Sequence, residues 1–112
     1  MMSGMRILLG VTGGIAAYKA VDVLRRLQEQ DAEVRVVMTR NATRFITPLT
    51  FSALSGMPVL TDEFTEGEWG SMGHISVTDG LDLALVVPAT ANIIGKMAAG
   101  IADDTLSTAL MA

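Results

Sequence analysis

Hydrophobic and polar positions along this chain follow two alternating periods. Arg6 to Thr12 (Arg-Ile-Leu-Leu-Gly-Val-Thr) is a short, almost continuous apolar run, the pattern of a parallel strand covered on both faces. Gly13-Gly14 breaks it. From Ile15 to Gln30 the period becomes helical. Ala17, Ala20, Val21, Leu24 and Leu27 share one face, and Lys19, Asp22, Arg25, Arg26 and Glu29 fall mostly on the other. Glu33 to Met38 returns to strand character through Val34, Val36 and Val37. Residues 6–38 thus predict one βαβ unit with a right-handed crossover.

Beyond it, residues 39–46 predict a loop with a short helical turn. Thr47-Pro48 reads as an N-cap followed by proline at the first helical position, and Gly56 as the stop of a helix over Pro48–Ser55. Residues 60–73 are polar, acidic and glycine-rich, and predict a loop. His74 to Val77 predicts a short extended piece before an Asp79-Gly80 turn. Leu81 to Val87 is the third strong strand, stopped by Pro88. Ala91 to Ala99 predicts a helix closed by Gly100, and Asp103 the cap of a last helix reaching Met111. The fold class is α/β: a flavodoxin-like, Rossmann-like three-layer sandwich in which strand three lies beside strand one. Leu81–Val87 would then be a bare apolar edge, which proteins cover. The expectation is that 1–112 is a single domain forming a portion of a longer one.

Composition narrows the field. No apolar run among the 112 residues reaches the ~18–20 residues of a membrane span. No basic, apolar leader opens the chain. The net charge is −4 and only Arg25-Arg26 pairs basic residues, so neither nucleic acid nor membrane is expected as a partner. With no cysteine there is no disulfide and no thiolate chemistry of the chain's own, in keeping with a cytoplasmic setting. Eight methionines read as core or interface filler. Lys96 is expected in solvent or in a local pair. Asp103-Asp104 sit side by side on a helix, point apart, and read as a cap with a dipole partner, not as metal ligands.

Candidate chemistry lies at three β–α junctions. Gly10-Val11-Thr12-Gly13-Gly14-Ile15 combines small residues with a helix start, where glycines permit a sharp turn and close backbone approach. It lacks the Gly-x-Gly-x-x-Gly and Walker patterns, and alone it reads either as an anion site or as a ligandless turn. Thr39-Arg40-Asn41-Ala42-Thr43 offers hydroxyls and a guanidinium for phosphate or ribityl oxygens, or is a solvated loop with capping side chains. Pro88-Ala89-Thr90-Ala91-Asn92 suits a planar ring with a few hydrogen bonds, or is a helix cap at Asn92. In this fold all three would meet at one sheet edge. His74, the only histidine, is either structural or a proton-transfer group reaching that crevice.

Together these strings resemble a known family. Gly13-Gly14-Ile15-Ala16-Ala17-Tyr18-Lys19, Met38-Thr39 with Phe45-Ile46-Thr47-Pro48-Leu49, His74-Ile75, Pro88-Ala89-Thr90-Ala91-Asn92, and Lys96 with Gly100-Ile101-Ala102-Asp103-Asp104-Thr105-Leu106 resemble the homo-oligomeric, FMN-containing cysteine decarboxylases. The resemblance runs from about residue 5 to the end. It implies an FMN cofactor surrounded by Gly13, Gly14, Ile15, Ala16, Thr39, Phe45, Thr90, Ala91 and Asn92. It makes His74 the active-site histidine, moving a proton or holding the substrate's carboxylate region. The implied reaction is decarboxylation of 4′-phosphopantothenoylcysteine to 4′-phosphopantetheine in coenzyme A biosynthesis, by a cytoplasmic homotrimer or a multiple of trimers. Neither the family's Pro-x-Met-Asn segment, which binds the substrate carboxylate, nor its cysteine-bearing flap lies in these residues. The expectation is a domain truncated at its C-terminus that binds flavin with little turnover alone. An FMN-binding or oligomerising module without decarboxylation is the alternative, as is a flavin prenyltransferase-like protein. The Tyr18-Lys19 and Thr47-Pro48-Leu49-Thr50-Phe51 strings favour the decarboxylase.

Overall fold

The computed structural model describes residues 3–61, 80–103, 106, 107 and 110. Strands β1 (Arg6–Val11), β2 (Glu33–Met38), β3 (Leu60–Thr61) and β4 (Leu83–Val87) form one parallel sheet in the order β3-β2-β1-β4. β1 lies between β2, in the register Ile7↔Val34, and β4, in the register Ile7↔Leu83. It is buried from Ile7 to Val11 because both of its faces carry core. Ile7, Leu9 and Val11 join Val34, Val36 and Met38 of β2 on one side. Leu8 joins Val37 and Leu60 on the other. A strand feeding two layers has no polar face to show, so its sequence is an unbroken apolar run.

Helices cover both faces. α1 (Lys19–Glu29) buries Ala20, Leu24 and Leu27 on the first, with Val21 partly buried beside them, and α2 (Pro48–Ser55) adds Phe51. α3 (Ala91–Ala99) brings Ile93 to the second face, where it meets Leu106. The three-layer, flavodoxin-like sandwich expected from the sequence is therefore present. No helix among the described residues is long and apolar enough to cross a membrane.

Several boundaries differ for local reasons. The first helix opens with a 3-10 turn over Ile15–Tyr18, in which Ala17 N–H donates to the Gly14 carbonyl at 2.9 Å, before the α-helix begins at Lys19. β4 starts at Leu83, not Leu81. Asp82 is tied to Arg6 twice: its Oδ2 accepts from the Arg6 N–H and its own N–H donates to the Arg6 carbonyl, both at 2.8 Å. The expected loop over 60–73 is corrected at its start, since Leu60 and Thr61 pair with Val37 and Met38 as β3. Two residues are too few for periodicity to reveal. Thr47 occupies the N-cap of α2, but its hydroxyl lies 3.3 Å from that of Thr50 and caps no backbone N–H. Gly56 and Gly100 end their helices at φ 72° and 71°. Asp103 pairs with Lys96 at 2.9 Å, so its carboxylate serves a lysine one element back. The extended piece expected over His74 to Val77 lies outside the described residues.

On the outer side of β4 no strand pairs among the described residues. Leu83 is 40% exposed there and Ala84 is exposed, as expected of an uncovered edge.

Candidate ligand-binding site

Parallel strands bring their carboxyl ends to one rim, and three β–α junctions leave it side by side. β1 runs into Thr12-Gly13-Gly14, β2 into Thr39-Arg40-Asn41, and β4 into Pro88-Ala89-Thr90. The junctions are cross-tied. Thr39 N–H donates to the Val11 carbonyl at 2.9 Å and Thr12 N–H to that of Val87 at 3.4 Å. The Thr12 hydroxyl, almost fully buried, donates to the Pro88 carbonyl.

The glycines of the first junction act by size. Neither lies in the left-handed region, and Gly14 is extended at φ 172°, so left-handed freedom is not what the turn uses. A Cβ on Gly13 would overlap the side chain of Asn41, its Cβ included at 2.7 Å. A Cβ on Gly14 would press on Pro88 Cγ at 3.3 Å. The second and third junctions therefore lean on the first from either side, and only hydrogen fits between them. This replaces the sharp-turn rationale with a packing one.

Between the junctions lies a cleft of about 280 Å³. Thr12 and Gly13 supply its floor, Thr39, Arg40 and Asn41 one wall, and Thr90, Asn92 and Ile93 the other. Among the described residues the lining includes one cation, Arg40, and no carboxylate. The Thr39 hydroxyl accepts the Ala42 N–H at 3.1 Å, and the Thr90 hydroxyl, at the N-cap of α3, accepts the Ile93 N–H at 3.3 Å. A hydroxyl that accepts still has its own proton to give, so both can donate to a ligand oxygen. Ile94 N–H goes to the Thr90 carbonyl at 3.0 Å. The N–H groups of Ala91 and Asn92 stand at the positive end of α3. Such a wall of donors suits an anionic, oxygen-rich ligand.

Of the residues singled out in the sequence, Gly13, Thr39, Thr90 and Asn92 meet in this cleft. Gly14 sits behind it against Pro88. Ile15 is 87% exposed, Phe45 49% exposed, Ala16 half-buried and Ala91 exposed, and none of the four lines the cleft. His74 lies outside the described residues. Thr12, Arg40, Asn41 and Ile93 join the lining without belonging to the set the resemblance implies. Arg40 and Asn41 carry a signal in their loop, two polar side chains just past a strand end. Ile93 is an apolar helix residue whose place follows only from its position three after the Thr90 cap.

Residues 1–112 match the Flavoprotein family. The chain is similar to the coenzyme A biosynthesis bifunctional protein CoaBC of Vibrio vulnificus (strain YJ016), at 51% identity over 111 residues, 99% of this chain and 28% of that protein. It is similar to CoaBC of Bacillus subtilis (strain 168) at 50% identity over 112 residues, 100% of this chain and 28% of that protein. The chain thus spans little more than a quarter of the length of these curated relatives. Among solved structures it resembles the FMN-dependent cysteine decarboxylase SpaF, with a TM-score of 0.84 and 34% identity, covering 100% of this chain and 65% of that one.

Proposed function

Because the chain belongs to the Flavoprotein family, we propose that its cleft binds FMN. On this reading residues 1–112 are one flavin-binding domain of a 4′-phosphopantothenoylcysteine decarboxylase acting in coenzyme A biosynthesis. The observation that carries it is the meeting of Gly13, Thr39, Thr90 and Asn92 in one donor-rich cleft. The half-identity to CoaBC and the likeness to SpaF support the decarboxylase over a bare flavin module.

The residues fit the polar end of FMN. Two hydroxyls, the carboxamides of Asn41 and Asn92, the Arg40 guanidinium and the helix end offer hydrogen bonds and positive potential to a phosphate and a ribityl chain. At about 280 Å³ the cleft lies just below the ~300–1,000 Å³ of whole-ligand pockets, so it suits that end better than an entire flavin. When bound, FMN supplies the reversible two-electron chemistry that cysteine decarboxylation needs. The chain's own part is binding and orientation. Gly13 keeps the floor clear of side chain, Thr39 and Thr90 would donate their O–H groups to ligand oxygens, and the buried Thr12 holds the first and third junctions together. To His74 the reading assigns proton movement beside the flavin, or a hold on the substrate carboxylate. A cytoplasmic homotrimer would cover the exposed Ile15 and Leu49 and the β4 edge.

The purified chain is expected to be yellow, with the absorption bands of bound FMN and about one flavin per chain, and to release little CO2 from 4′-phosphopantothenoylcysteine by itself. A colourless chain that takes up no added FMN would contradict the binding reading. Brisk CO2 release would contradict the view that the clamp segments are needed.

A further inference from the structure

We propose that Thr12 is a positioning residue of the site: its hydroxyl sets where the third junction stands, and so where Thr90 and Asn92 meet the flavin. The assignment rests on the flavin reading above and deepens it. Three threonines line the cleft, Thr12, Thr39 and Thr90, and the direction of their bonds divides them. An N–H can only donate, so Thr39 and Thr90, which receive the Ala42 and Ile93 N–H groups, keep a proton for a ligand. A carbonyl can only accept, so Thr12 gives its proton to Pro88. Toward the ligand Thr12 has no proton left to offer, and its work is done through the residues it holds.

The importance of that bond follows from how the two outer junctions are held. β2 leaves the sheet between neighbours. Met38 pairs with Val11 on one side and Thr61 on the other, and Thr39 N–H reaches the Val11 carbonyl at 2.9 Å. β4 has β1 alone beside it among the described residues. At its exit the backbone bond, Thr12 N–H to the Val87 carbonyl, is long at 3.4 Å and correspondingly weak. The Thr12 hydroxyl grips the next carbonyl along, that of Pro88, just ahead of the Thr90 cap of α3. Thr12 is 2% exposed, too buried for water to take the hydroxyl's place. Valine has nearly the same shape but sets a methyl group against the Pro88 carbonyl. The carbonyl must then turn away to find another donor, and the start of α3 turns with it.

The test measures the FMN affinity of the full chain by flavin fluorescence. Thr12→Val should weaken it about tenfold, and Thr12→Ser, which keeps the hydroxyl, should stay within about threefold of the unsubstituted chain. The discriminating readout is coupling. Thr90→Ala should lower affinity in the unsubstituted chain and lower it hardly further in Thr12→Val, where the displaced junction no longer aims Thr90 at the ligand. Thr39→Ala, on the other wall, should have the same effect in both backgrounds. In the flavin-free chain the amide shifts of Ala89 to Asn92 should move in Thr12→Val, and those of Thr39 to Asn41 should stay. A general loss of stability would not separate the two walls in this way. If Thr12→Val does not fold, Thr12→Ala compared with Thr12→Ser isolates the same hydroxyl, and about the same tenfold difference is expected. Equal FMN affinity in Thr12→Val and the unsubstituted chain overturns the role. So does a Thr12→Ser variant as weak as Thr12→Val, or a Thr90→Ala effect that adds in full. An unsubstituted chain that binds no FMN overturns the flavin reading and this role with it. That outcome differs from intact FMN binding that is indifferent to the hydroxyl at position 12.

Discussion

In any form of the protein that releases CO2 from 4′-phosphopantothenoylcysteine, His74→Asn is expected to leave FMN bound and slow decarboxylation by about 10²–10⁴-fold, the usual worth of a positioned acid–base group. His74 is the chain's single histidine, and imidazole is the side chain that takes and gives a proton most readily near neutrality. Asparagine retains a hydrogen-bonding amide at a similar reach but cannot carry the proton. The substitution thus separates positioning from proton transfer. Flavin absorbance per chain and CO2 release, measured on the same preparation, check it. Full activity would return His74 to a structural role, and loss of flavin would make it part of the binding site.

A second large effect is expected at Gly13, through packing. In Gly13→Ala the new Cβ would overlap Asn41 down to its own Cβ, and that Cβ cannot swing aside like the end of a long side chain. The loop after β2 must move, carrying Thr39 and Arg40 with it and widening the cleft. FMN affinity should fall about a hundredfold, or ~2.8 kcal/mol at 1.4 kcal/mol per tenfold. The fold itself should lose only the ~1–3 kcal/mol of ordinary overpacking. Asn41→Gly removes the atoms in the way. The double variant should therefore bind FMN as Asn41→Gly does alone, far better than Gly13→Ala, a non-additivity that only a direct contact produces. Two losses that simply add would mean that Asn41 does not enforce glycine at position 13.

Much of this was readable from the chain. β1 announces itself because burial on both faces leaves no polar positions between Ile7 and Val11. α1 is legible through the stripe of Ala20, Leu24 and Leu27, and α2 and α3 through their glycine stops. What stayed hidden depends on contacts distant in sequence. The start of β4 is set by the bond between Asp82 and Arg6, 76 residues apart. β3 is two residues long and exists because Val37 and Met38 present a free edge to Leu60 and Thr61.

The site divides the same way. Convergence of Gly13, Thr39 and Thr90 follows from parallel strand order, which the spacing of apolar runs predicts. The reason for glycine at 13 and 14 does not. It lies in Asn41 and Pro88, 28 and 74 positions further on as counted from their numbers, and a dipeptide of glycines looks the same whether it turns or merely makes room. The family resemblance marks Thr39 and passes over Arg40 and Asn41, whose place in the wall is visible only once β2 lies beside β1.

Amide chemical shifts followed during FMN titration test most directly whether the three junctions cradle the flavin's phosphorylated end. Saturable changes should concentrate on Gly13, Thr39 to Asn41, and Thr90 to Asn92, with the solvent face of α1 at Asp22, Arg25 and Glu29 unmoved. Shifts centred on that outer face, or none in the junctions at saturating FMN, would contradict the account.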